Sequence, residues 1–177
     1  SIELLAREGL SIGAELAGAA GDAPGGAQPA GGRLSIGVSR LRVPAPPPDV
    51  INPFPTTPRR IVLGGVVPGA GDPNGTTRLD PVRLTTSGFG SLALQADDRI
   101  EFAADVSLDL PGSIALQAPI LAAADGVNHV SLAANTLLLG PDLATGTAPA
   151  TASTGAAALV ADARLIDLHG ALALQGF

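Results

Sequence analysis

The sequence predicts an all-β protein built as a parallel β-helix, a solenoid of stacked coils interrupted by loop insertions. Three observations lead there. Gly (23) and Pro (16) make up more than a fifth of the 177 residues, and a helix interior excludes these two types most strongly. Apolar types nevertheless reach 46%, too many for a disordered chain, and they alternate at period two, the mark of strands with one buried face. The alternation also repeats. Gly90-Ser91-Leu92-Ala93-Leu94-Gln95-Ala96 returns 22 positions later as Gly112-Ser113-Ile114-Ala115-Leu116-Gln117-Ala118.

Taken along the chain, Ser1-Ile2-Glu3-Leu4 and Gly32-Arg33-Leu34-Ser35-Ile36-Gly37-Val38 already have the form of the repeat. Residues 1–43 are therefore expected to form coils, with a Gly/Ala/Pro-rich loop at 17–32. The section 44–83 opens with Pro44, Pro46, Pro47, Pro48, Pro53, Pro55 and Pro58. Proline lacks a ladder donor, so this section is expected to leave the wall or skirt its edge, with Ile61-Val62-Leu63 and Val66-Val67 as a short edge strand or a packed stretch.

From 84 to 177 the coils are expected to resume. Between the first two copies lie Arg99-Ile100-Glu101-Phe102-Ala103 and Val106-Ser107-Leu108-Asp109-Leu110, which makes three short strands per interval. Bends are expected at Asp97-Asp98, Ala104-Asp105 and Pro111-Gly112. A single such coil cannot bury its inward row, whereas coils stacked at ~4.8 Å bury it continuously. Val130–Ala134 and Ala158–Ala161 are looser copies, and Gly170-Ala171-Leu172-Ala173-Leu174-Gln175-Gly176 is a third close one. A Thr/Ala-rich loop is expected at 140–155. A narrow aliphatic interior has little room for Trp or Tyr, and the chain has neither. The competing fold, an antiparallel sandwich or meander, calls for hairpin turns, and Asn74-Gly75 is the only Asn-Gly pair.

Composition also excludes chemistry. Without Cys there are no disulfides, thiolate metal sites or Cys nucleophiles. Residues 1–96 hold eight Arg and seven acids, whereas 97–177 hold two Arg (Arg99, Arg164) and nine acids, for a net charge of −6. That balance is wrong for nucleic acid. No apolar run reaches the ~18–20 residues of a membrane span, and no signal-peptide pattern opens the chain. A terminal Phe177 after Leu172 and Leu174 has the look of an outer-membrane barrel strand, but four Phe without Tyr or Trp cannot build aromatic girdles.

The candidate sites are each met by a simpler explanation. His129 and His169, with Asp125 and Asp167 near them, suggest a triad or a metal site. Both histidines sit at turn positions, and no Gly-x-Ser-x-Gly elbow accompanies them. Asp97, Asp98, Glu101, Asp105 and Asp109 form the densest acidic group and suggest a glycosidase or polysaccharide lyase. Within Arg99–Ala103, however, Arg99 and Glu101 fall opposite Ile100 and Phe102, so the charges decorate an outer face. Asp72-Pro73-Asn74-Gly75 lacks the later Glu of a calcium loop and reads as a turn. Gly64-Gly65-Val66-Val67-Pro68-Gly69 lacks the Lys and Ser/Thr of a phosphate loop. No catalytic, cofactor-binding or metal-ligating residue is expected.

The run Gly90–Ala96, Asp98–Phe102, Val106–Leu110 and Pro111-Gly112-Ser113-Ile114 resembles the repeats of filamentous haemagglutinin-like exoproteins, the large secreted partners of bacterial two-partner secretion systems. The resemblance covers 84–177, and 1–43 in style. It implies a right-handed β-helix on the surface of, or secreted from, a Gram-negative bacterium. The implied partners are the rest of a parent exoprotein, an outer-membrane transporter during export, and a host or bacterial cell-surface receptor. Roles in adhesion, biofilm formation or contact-dependent inhibition come with it. Asn52-Pro53-Phe54 does not match the family's secretion motifs in context, and no Arg-Gly-Asp occurs. The expected role is therefore that of a non-catalytic shaft segment, with strand patterns running to both ends; a carbohydrate-active β-helix enzyme is the alternative.

Overall fold

The computed structural model describes residues 1–7, 9–12, 15–19, 31–40, 58–65, 75–141 and 151–177. Among them are strands β1 (Ile2–Ala6), β2 (Arg33–Val38), β3 (Arg60–Leu63), β4 (Thr76–Leu79), β5 (Ser91–Ala96) and β6 (Arg99–Phe102). Strands β7 (Val106–Gln117), β8 (Ile120–Ala123), β9 (His129–Leu139), β10 (Ala158–Leu168) and β11 (Ala173–Gln175) follow, and one short helix, α1 (Pro81–Thr86), precedes β5. The protein is mostly β.

Two sheets hold these strands, in the orders β1-β2-β5-β7-β9-β10 and β11-β8-β6-β3-β4. Every strand pairing is parallel, which overturns the antiparallel alternative. Parallel neighbours need a crossover, and between β5 and β9 the crossovers are strands of the other sheet. From β5 to β9 the chain alternates strictly between the two.

Register turns the sequence repeat into contact. Leu92 stands opposite Ile114 and Leu94 opposite Leu116, the 22-residue offset read from the sequence. The pairings chain into two aliphatic ladders across the first sheet, Ile2–Leu34–Leu92–Ile114–Leu137–Ile166 and Leu4–Ile36–Leu94–Leu116–Leu139–Leu168. Ile61, Ile100 and Leu121 align likewise in the second. The inner members of all these ladders are buried and join one cluster. Close-packed branched side chains at one level select the same types at the next, and that selection is what the repeat records.

Three expectations need correction. Val106–Leu110 and Ser113–Gln117 do not bend apart at Pro111-Gly112. They run on as β7, with a register shift between Leu110 and Ser113. A bulge leaves a residue unpaired, so it accommodates proline without a break. Gly112 is required there because a Cβ would overlap the Gly90 carbonyl oxygen and the Ser91 hydroxyl. The close copy at 170–176 is not a first-sheet strand. Its β11 pairs with β8, in the second sheet, because the local pattern codes an inward face and not which sheet carries it.

The stretch 58–83 supplies the third correction. β3 lies inside the second sheet, between β4 and β6. These two strands are free of proline, and their Ile61, Leu63 and Leu79 are buried. α1 was not anticipated, although Asp80 accepts a hydrogen bond from the Val82 N–H (2.9 Å) and Pro81 occupies the first turn, a legible start signal. Most of the loop sections 17–32 and 140–155, and residues 41–57 and 66–74, lie outside the described residues.

Candidate functional site

The acidic group is dispersed by the fold. Asp97 and Asp98 occupy the corner between β5 and β6, Glu101 the outward row of β6, Asp105 the next corner, and Asp109 the outward row of β7. Each has a local task. Asp97 accepts a hydrogen bond from the Arg40 N–H at 2.6 Å. Asp98 forms an ion pair with the Arg40 guanidinium and accepts from the Arg59 N–H. One acidic corner thus holds Arg40 and Arg59, on either side of 41–57. Glu101 stands 3.9 Å from the Arg60 guanidinium, which also donates to the Thr76 hydroxyl at 2.7 Å.

Asp105 ties one level to the next. One carboxylate oxygen accepts from the N–H groups of Asn128 (2.7 Å) and His129 (3.0 Å), where β9 begins. Those two bonds, Asn128 first, hold its carboxyl below the ordinary carboxylate range. The histidines do not meet. His129 contributes its backbone to Asp105, while the His169 ring lies 2.8 Å from Asp167 on the surface. Among the described residues neither imidazole is hydrogen-bonded to a serine hydroxyl, and no three His, Asp or Glu side chains group as metal ligands. Asp72, Pro73 and Asn74, with residues 66–69, lie outside the described residues. Gly75 is described and forms a turn with φ +77°. Phe177 packs edge to face on Phe102, with 6.1 Å between ring centroids, as a core contact. No helix among the described residues is long and apolar enough to cross a membrane.

Among the described residues an open cleft of about 480 Å³ lies at the second sheet. Arg99 and Glu101 come from β6, Asp125 from the turn after β8, Ser153 and Thr154 from the strip after residue 150, and Gln175 from β11. Ser153 bridges Gln175 in parallel, and the Gln175 amide donates to the Thr151 carbonyl at 2.7 Å. Gly155 permits the close crossing of the chain end, since a Cβ there would overlap the Gly176 carbonyl. The cleft offers one guanidinium, two carboxylates and several hydroxyl and amide groups, which suits hydrogen bonding to a polar, hydroxyl-rich ligand. Of the acidic group, only Glu101 reaches it. Ser153, Thr154 and Gln175 carried no functional signal in the sequence, because stacking alone brings positions more than 50 apart onto one surface.

A scan against protein-family models finds no match for this chain, and searches of curated proteins and of solved structures return none.

Proposed function

We propose that the chain is a right-handed parallel β-helix segment serving as structural shaft in a large secreted bacterial surface exoprotein of the filamentous haemagglutinin type. One observation carries the reading. From β5 to β9 successive strands alternate between two parallel sheets, and the strands of the first sheet lie side by side in chain order. Such an arrangement grows by adding circuits, each covering the aliphatic row of the last. The right hand is the one that parallel crossovers take in almost all proteins. The repeat-bearing residues 90–118 support the exoprotein assignment, and the tying roles of Asp97, Asp98 and Asp105 favour presentation over catalysis.

In this role the remainder of the exoprotein, an outer-membrane transporter and a cell-surface receptor are the partners, and the work is adhesion or contact-dependent interaction. Antibodies against the purified chain should label intact, unpermeabilised cells of the source bacterium. Labelling that appears only after lysis overturns the assignment. The cleft favours one alternative, a carbohydrate-active β-helix enzyme, because Glu101 and Asp125 both line it. That reading requires cleavage of an acidic polysaccharide that is abolished in Glu101→Gln or Asp125→Asn protein.

A further inference from the structure

One row of the second sheet shapes the cleft. Glu101, Ala122, Gln175 and Ser153 stand side by side in register on β6, β8, β11 and the strip after residue 150. Alternation turns this row outward, because the neighbouring Ile100, Phe102 and Leu121 are buried in the core. The hollow opens where Ala122, a single methyl group, stands between two longer side chains. Arg99 lies two residues before Glu101 on the same face, ~7 Å along the strand. Asp125, in the turn after β8, lines the cleft toward its opposite end.

The charged groups here lack partners. Among the described residues no hydrogen bond or ion pair engages the Arg99 guanidinium, the Asp125 carboxylate or the Ser153 hydroxyl. Arg99 also stands in register beside Arg60, whose guanidinium already serves Thr76 and Glu101. Like charges side by side are unfavourable, so Arg99 calls for an anion, and Asp125 calls for a cation.

We infer that the cleft binds a sugar carrying both a carboxylate and an ammonium group. The carboxylate pairs with Arg99 and the ammonium with Asp125, while Glu101 and Ser153 take the ring hydroxyls. A sugar with a carboxylate alone meets two carboxylates against one guanidinium. One with an amine alone leaves the guanidinium unmatched, and a peptide zwitterion without hydroxyls leaves Glu101 and Ser153 so. The volume of about 480 Å³ falls within the range of small-ligand sites. The inference rests on the cleft, goes beyond the shaft reading and stands independently of it.

NMR titration of the isotopically labelled chain tests it, with muramic acid as the probe because one ring carries an amine, a carboxylate and free hydroxyls. Muramic acid should shift the amide resonances of Asp125, Ser153 and Gln175 saturably. N-acetylmuramic acid lacks the ammonium, glucosamine the carboxylate and dialanine the hydroxyls. Each of these should bind about three- to tenfold more weakly. Arg99→Gln should erase the preference over glucosamine, and Asp125→Asn the preference over N-acetylmuramic acid. Ala122→Met fills the hollow from an outward position and should abolish the shifts while the circular dichroism spectrum is kept. Cleft resonances that muramic acid leaves unmoved overturn the inference. So do equal affinities for the four probes, and so does dialanine bound as tightly as muramic acid, which would mean a peptide site instead.

Discussion

At the scale of single residues, most of the conspicuous side chains in this protein hold its levels together. Asp105 is the clearest case, since one oxygen collects two backbone donors from the following level. Its carboxyl is lowered in the folded state, so its contribution is present above the ordinary carboxylate value and is lost as pH falls through the folded value. Asp105→Ala should therefore lower Tm near neutral pH and converge with wild type in strong acid. Asp105→Asn, which keeps an acceptor, should fall between them, and thermal melts across a pH series check the order. In the ladder, Leu116 is fully buried, and Leu116→Ala should cost about 2–5 kcal/mol in urea denaturation. The outward Asp109→Ala, one level element away on the same strand, should stay within about 0.5 kcal/mol. The inward or outward sense of both residues was legible from alternation. The partners of Asp97 and Asp98 were not, because Arg40 and Arg59 lie 57 and 39 positions away.

At the scale of elements, the interesting cases are those that depart from short repeated strands. β7 joins two expected strands, Val106–Leu110 and Ser113–Gln117, into one 12-residue strand through its bulge, and β9 and β10 follow at 11 residues each. Its Val106–Leu110 half has no partner on β5, which pairs only with Ile114–Gln117. α1 precedes β5 as that half-strand precedes Ser113, and it packs against β7 with Leu84 buried. A helix over an unpaired edge protects it from adding a foreign strand. Asp80→Ala removes the cap and should cost about 0.5–2 kcal/mol. Because the uncovered edge belongs to β7, the same variant should also raise the tendency to aggregate on heating, which light scattering during the melt would register. Asp80-Pro81 was a readable helix start. What hid it was the apolar-poor, six-residue length, too short for a 3.6-residue period to stand out.

At the scale of the molecule, the proposed β-helix would make the chain additive. Removing residues 91–112 deletes β5, β6 and the first part of β7 as one circuit, and it joins Gly90 to Ser113. The remaining Ser113–Gln117 carries the inward residues that β5 presented to β2, and β8 carries those that β6 presented to β3. The shortened protein should keep a β-type circular dichroism spectrum and a cooperative melt. Loss of both would contradict the solenoid reading, since a closed sandwich does not survive excision of three adjoining strands.

The Gly, Pro and aliphatic content, the period-two alternation and the 22-residue repeat were enough, by themselves, to reach parallel β-strands with a Leu/Ile/Val interior. Those properties are local: each residue's face depends on its neighbours at i±2, and the repeat makes each level a template for the next. Tertiary structure alone decided which sheet receives each strand. It placed β11 with β8, brought β3 inside the second sheet, and gathered Arg99, Asp125, Ser153 and Gln175 around one cleft. The reason is physical. An alternating apolar strand satisfies either sheet equally well on its own, and only the level beneath it, with its free donors and its exposed ladder, makes one of the two places lower in free energy.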